Sequence, residues 1–256
     1  MMKVGCSSWS FHKTIEAGDL DQNSWLDVCA RDLSLDGVEL LDYHFTGTDD
    51  AYVKDLKVRC CNLGLSILGL AISNNFTCAD AERAAQEESV SRWLDAAAIL
   101  GAPAVRVFAG TGQGLAVDGM WPKCVGSLRT AASQAGERGI VLGLENHGGL
   151  SADQVIRLLD DVGSPYLRMT LDTGNFPEDD LGSIEKTAPR AVYVHAKTYG
   201  FDAAGEETRL PYERIVEILG KVGFNGYLSI EFEGEGDEMT DVTKSVALLR
   251  RCLSRG

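Results

Sequence analysis

The sequence predicts an α/β protein: one closed (β/α)8 TIM barrel, a single domain over residues 1–256. Three observations carry this expectation. Strand-like and helix-like segments alternate eight times with short connections. Parallel strands require crossover helices, and eight such units in about 250 residues describe a closed barrel. No Pro/Ser-rich linker, low-complexity tract or break in composition divides the chain. The competing open, doubly wound sheet needs a Gly-rich phosphate fingerprint after its first strand, and Gly5-Cys6-Ser7-Ser8-Trp9 lacks one.

The elements follow in order. Residues 3–8 read as the first strand, ahead of Trp9-Ser10-Phe11-His12. A helix over 24–33 is expected to start at Ser24, which with Asp27 resembles a capping box. Gly37-Val38-Glu39-Leu40-Leu41 is the second strand, and the helix over 49–63 stops at Gly64. Residues 66–72 form strand three and lead into Ser73-Asn74-Asn75-Phe76. The longest helix, 79–100, ends at Gly101, and strand four, 104–108, carries Arg106. A loop with Gly110, Gly112, Gly114 and Gly119 precedes a helix over 121–138. Strand five ends at Glu145, and Ser151 caps a helix reaching residue 161. Strand six runs into Asp172, a short helix covers 181–187, and strand seven ends at His195. Pro211 suits the first turn of a helix reaching 222. Strand eight holds Glu231, and the last helix covers 241–253.

Four of these strands end on potential metal ligands: Glu145, Asp172, His195 and Glu231. Successive strand residues point to opposite faces, so each phase can be checked. With the four ligands inward, Leu142, Leu144, Met169, Leu171, Val192, Val194, Leu228, Ile230 and Phe232 point outward. The ligand phase also carries small or polar residues, Gly143, Thr170 and Ser229. A random scatter of acids would not agree in four strands. In a barrel, catalytic residues collect at C-terminal strand ends. All four histidines, His12, His44, His147 and His195, fall at or just after such an end.

One imidazole and three carboxylates form an oxygen-rich site suited to one divalent ion, Mn²⁺, Mg²⁺ or Co²⁺, with Zn²⁺ also admitted. An ion bridging a carbonyl and its neighbouring hydroxyl acidifies the proton between them and stabilises the enediolate. Glu145 and Glu231 lie on strands three apart, so they can flank a substrate and act as catalytic proton carriers.

The formal net charge of -14 argues against nucleic acid and anionic membrane as partners. Seven cysteines without a CxxC pair suggest a reducing compartment and inert thiols. No signal-peptide core follows Met1-Met2-Lys3, and no apolar run approaches the roughly 18–20 residues of a membrane span. The expected location is therefore the cytoplasm.

Leu144-Glu145-Asn146-His147-Gly148, Leu171-Asp172-Thr173-Gly174-Asn175, His195-Ala196-Lys197 and Ser229-Ile230-Glu231-Phe232-Glu233-Gly234 resemble the xylose isomerase-like TIM-barrel superfamily. Within it, they look like the sugar phosphate isomerase/epimerase branch. The likeness covers nearly the whole chain and includes Gly37-Val38-Glu39-Leu40. It implies one divalent ion at Glu145, Asp172, His195 and Glu231, with the two glutamates moving the proton. Two departures narrow the substrate. Asn175 stands where ketohexose 3-epimerases usually have histidine, and no arginine closely follows His195, the next being Arg209. A ketohexose is therefore not implied. The three-zinc site of the superfamily's AP endonucleases cannot be built from four histidines.

The functional expectation is a metal-dependent isomerase or epimerase of a small sugar, sugar derivative or hydroxy-keto acid. The alternative is a lyase or dehydratase on the same enediolate platform. A non-catalytic sugar-binding subunit is the third reading. Homo-oligomerisation stays open.

Several residues keep two readings. His147 contacts substrate or caps a turn; Lys197 contacts substrate or phosphate, or pairs with Glu233. Glu233 supports the site or lies on its rim, and Arg106 meets substrate or an internal partner. Asn175 is a substrate-binding candidate, and Trp9 with Phe11 and His12 can form an apolar wall for a sugar face. Glu39 reads as an inward structural polar residue, the Gly110–Gly114 loop as flexible rather than phosphate-binding, and 202–207 as a solvated acidic loop.

Overall fold

A computed structural model describes residues 1–177 and 180–255. Eight strands close into a parallel barrel in sequence order: β1 (Lys3–Ser7), β2 (Gly37–Leu41), β3 (Ser66–Ala71), β4 (Ala104–Val107), β5 (Val141–Glu145), β6 (Leu167–Asp172), β7 (Ala191–Thr198) and β8 (Tyr227–Phe232). β1 pairs with β8, which closes the ring. The helices are α1 (His12–Glu16), α2 (Gln22–Asp27), α3 (Asp50–Leu63), α4 (Asp80–Leu100), α5 (Gly112–Leu115), α6 (Met120–Glu137), α7 (Ala152–Val162), α8 (Asp180–Thr187), α9 (Tyr212–Lys221) and α10 (Glu238–Arg255).

Strand parity sorts the barrel wall. Leu142, Leu144, Met169, Leu171, Val194, Leu228, Ile230 and Phe232 are buried in the large cluster between the sheet and its helices. Val192 departs from its expected outward phase. It lies beside a register shift between β6 and β7 and packs on a small group formed by Leu68, Ala104 and Tyr193. The inward phase is crowded: a Cβ on Gly143 would collide with the Thr170 hydroxyl, so only glycine fits beneath Glu145. No helix among the described residues is long and apolar enough to cross a membrane.

Most element ends fall within two residues of the expectation, and three local readings change. The cap of the second helix is Asp21, whose carboxylate accepts from the Ser24 backbone N–H at 2.7 Å; Ser24 lies inside the helix. That helix continues as a π-turn over Val28–Asp32. The last helix starts at Glu238, and the Glu238 carboxylate caps α1 through the Lys13 and Thr14 N–H groups. Ser151 caps α7 as expected, in a reciprocal box with Gln154.

Candidate active site

The ends of β5 to β8 bring Glu145, Asp172, His195 and Glu231 around one point. The Nδ1 atom of His195 lies 3.4 Å from Glu145 Oε2, 3.8 Å from Asp172 Oδ2 and 3.5 Å from Glu231 Oε1. All four residues are buried. One ligand atom each from Glu145, Asp172 and His195 lies within 4.8 Å of the others. These buried atoms, Glu145 Oε2, Asp172 Oδ2 and His195 Nδ1, have no hydrogen-bond partner. An unpaired buried polar atom is costly. Two carboxylate oxygens converging with one imidazole nitrogen fit a divalent cation.

The rest of each group is anchored. Asn175 donates to Glu145 Oε1 at 2.9 Å, and the Gly174 N–H donates to Asp172 Oδ1 at 2.8 Å. Asn146 is fully buried and clamps the Asp172 backbone, donating to its carbonyl and accepting from its N–H. It thereby ties the tip of β5 to the tip of β6. Glu39, from β2, accepts at Oε1 from His195 Nε2 and the Tyr193 hydroxyl, each at 2.9 Å, and at Oε2 from Ser229 at 2.8 Å.

Two cations share the ring. Arg106 donates to the Ile72 carbonyl at 3.0 Å, stacks 4.0 Å over Phe108, and sits 3.1 Å from Glu145 Oε2 without the alignment of a hydrogen bond. Lys197 is only 2% exposed. Its ammonium lies 2.6 Å from Glu231, 2.9 Å from Glu233 and 3.0 Å from Asp172. Of its two expected roles, the ion pair with Glu233 is present, and two further carboxylates join it.

Five carboxylates, Glu39, Glu145, Asp172, Glu231 and Glu233, thus face two permanent cations, and the titration tendencies reflect this excess of negative charge. Burial, with Glu231 and Glu145 adding to it, pushes Asp172 up to about 7 even though Lys197 pulls the other way. Burial also opposes the ionised form of Glu231, but His195 and Lys197 overcome it and hold that carboxyl well below its usual range. Burial is likewise outweighed at Glu145, chiefly by Arg106. Burial disfavours a charged imidazole at His195, yet Glu231, Glu39 and Glu145 raise it well above its usual value. The cluster therefore holds protons where a dication would replace them.

A cleft of about 470 Å³ opens onto this cluster, and Glu145, Glu231, Arg106, Lys197, Glu233, His147 and Trp9 line it. His147 is exposed and stacks on Phe108, with ring centroids 4.2 Å apart. The Trp9 indole N–H donates to Glu233 at 3.1 Å. The expected aromatic wall is only partly realised. Phe11 is 2% exposed in the main core, and His12 stacks against Trp9 without lining the cleft. Tyr43, 71% exposed, and Phe108 extend the wall instead. Asn175 is spent on Glu145 and does not line the cleft.

Two loops also differ from expectation. The Gly110–Gly114 loop is packed: a Cβ at either end would strike Thr77, and the Gly112 N–H bonds the Gly148 carbonyl at 2.9 Å. In the acidic loop, Glu207 is 7% exposed and accepts from the Tyr199, Arg209 and Leu210 N–H groups. Reading by residue type missed the cleft contributions of Leu41, Tyr43 and Asn74, whose spacing carries no ligand signal.

A family model described as xylose isomerase-like TIM barrel matches residues 29–252. The C-glycoside deglycosidase alpha subunit of Arthrobacter globiformis is 39% identical over 72 residues. That match covers 25% of this chain and 20% of the relative's length. Among solved structures, a xylose isomerase domain protein from Planctomyces limnophilus superposes with TM-score 0.80 at 16% identity, covering 99% of this chain and 97% of the other. An L-ribulose 3-epimerase superposes with TM-score 0.76 at 22% identity, over 100% and 95% of the two chains. At these identities the structural likeness speaks for the fold.

Proposed function

Since the chain belongs to the xylose isomerase-like TIM-barrel family, we propose that it is a divalent-metal-dependent isomerase or epimerase of a small, uncharged sugar. The observation that carries this reading is the convergence of Glu145 Oε2, Asp172 Oδ2 and His195 Nδ1, all buried and without a hydrogen bond. With Glu231 these residues would hold one ion, Mn²⁺, Mg²⁺ or Co²⁺ suiting the oxygen-rich set. Such an ion supplies Lewis-acid polarisation of adjacent carbonyl and hydroxyl oxygens.

The chain supplies the proton transfer. Glu145 and Glu231 reach the cleft from β5 and β8, and both stay ionised because charged neighbours outweigh their burial. One takes the proton from the carbon beside the carbonyl, and the other can return it from the opposite side. Trp9, Tyr43 and Phe108 offer apolar surface for a sugar face. The two cations lining the cleft, Arg106 and Lys197, are paired with carboxylates, which leaves no free Lys or Arg among the described residues there for a phosphate or an acid.

Elimination on the same platform is the second reading, favoured by the stretch shared with the C-glycoside deglycosidase alpha subunit. A screen of sugars and keto acids with Mn²⁺, followed by NMR in deuterium oxide, tests both readings. Isomerisation conserves mass and places solvent deuterium beside the carbonyl; elimination releases a leaving group. Glu145→Gln and Glu231→Gln should each abolish turnover while retaining weak metal binding. Substantial turnover by both variants, or conversion without solvent exchange, would sink the two-glutamate mechanism. A protein that takes up no divalent ion would sink the metal reading itself.

A further inference from the structure

We propose that Glu39 is a positioning residue that fixes His195 in the tautomer whose bare Nδ1 faces the carboxylates, so that a divalent ion is bound through Nδ1. The inference rests on the metal reading above and adds to it one residue and one choice of nitrogen.

Glu39 follows a register shift between β2 and β3, and such irregularities re-aim a side chain. It is 0% exposed, as is His195. Its carboxylate receives three groups from β7 and β8: His195 Nε2 and the Tyr193 hydroxyl at 2.9 Å, and the Ser229 hydroxyl at 2.8 Å. Glu39 Oε1 already accepts from the Tyr193 hydroxyl, so it faces Nε2 as an acceptor and Nε2 carries the hydrogen that it donates. Once a dication displaces the remaining ring proton, the second nitrogen has a lone pair to offer. It is this atom, Nδ1, that is buried without a hydrogen-bond partner, 3.4–3.8 Å from oxygens of Glu145, Asp172 and Glu231.

A carboxylate on the far N–H of a ligating histidine restrains the ring and raises its basicity. Tyr193 and Ser229 restrain Glu39 in turn. Glu39 does not line the cleft, and it bonds His195 at Nε2, away from the converging ligand atoms, so its effect passes through His195.

The test uses the full chain with isotope-labelled histidine, loaded with a spin-active cadmium ion. One-bond coupling is expected from cadmium to Nδ1 of His195; coupling to Nε2 would overturn the proposal. The second measurement is Mn²⁺ affinity, which does not depend on turnover. Glu39→Gln keeps the shape but can turn its amide N–H toward Nε2, favouring the wrong tautomer. Its affinity should fall by roughly 10–100-fold, the usual loss for an outer partner of a metal ligand. Tyr193→Phe, which removes one donor to Glu39, should lose less. Unchanged affinity in a folded Glu39→Gln would also overturn the proposal. Should that variant fail to fold, the coupling in the unaltered protein still decides. An unaltered protein that binds no ion sinks the parent reading and this one together, whereas coupling to Nε2 sinks this one alone.

Discussion

Replacing Lys197 with Met isolates the charge balance of the site, because Met keeps the stem and removes only the ammonium. Lys197 is 2% exposed and lies within 3.0 Å of carboxylate oxygens on Asp172, Glu231 and Glu233. Removing one partner of a buried ion pair costs about 3–5 kcal/mol, because the remaining charge stays buried without compensation. Glu231 is buried and keeps its charge, whereas Asp172, already raised to about 7, takes up a proton when the ammonium is lost, so the whole of that range applies; Glu233 is exposed and adds little. At roughly 2–4 °C per kcal/mol for a chain of this size, the metal-free variant should melt roughly 6–20 °C below the metal-free parent. Saturating Mn²⁺ should narrow that gap, since a dication beside Asp172 and Glu231 replaces the lost charge. The assay is thermal unfolding of both proteins with Mn²⁺ and with chelator. Equal melting of the two metal-free proteins, or a gap that widens when Mn²⁺ is added, would refute the reasoning.

Three further outcomes are expected. Chelation should lower the melting temperature of the metal-loaded protein, because binding to the native state alone adds about 2.7 kcal/mol at a hundredfold excess over Kd; a melting curve insensitive to chelator and to added ions contradicts the site. Asp172 is raised from 3.8 to about 7, so its contribution to metal-free stability is present below its unfolded value and lost as pH rises through about 7. Asp172→Asn should flatten the metal-free stability curve across that window, and a curve of unchanged slope in urea titrations would count against it. Gly143→Ala forces a methyl against the Thr170 hydroxyl inside the barrel and should destabilise, whereas Gly126→Ala in α6 meets nothing within 4 Å and should stabilise by about 0.5–1 kcal/mol. Equal effects of the two substitutions on urea midpoints would show that Gly143 does not sit where the inward phase puts it.

The candidate ligand residues at the strand ends and the charges that balance them differ in how far the sequence exposes them, and the reason lies in the geometry of a parallel barrel. Which face a strand residue takes is a local property of period two, so Glu145, Asp172, His195 and Glu231 could be phased from their own neighbours. Where the backbone leaves that period, the local reading failed: Phe11 sits in a 3-10 turn and enters the core, and Val192 sits at a register shift. Capping followed the same division. Ser151 and Gln154 signal each other three residues apart, while Glu238 caps a helix 225 residues earlier in the chain, which no local pattern announces. Counter-ion placement is set between strands. Lys197 stands opposite Glu231 in the β7–β8 register, and His195 stands opposite Asp172 in the β6–β7 register. A slip of one residue in either pairing would turn one strand's inward set outward and separate cation from carboxylate. Closure adds a second long-range condition. Glu39 reaches His195 only because β1 pairs with both β2 and β8, carrying β2 round to face the β7–β8 wall. Glu39 therefore read as an inward structural residue from its own strand, and its part in orienting His195 emerges only once the ring is closed.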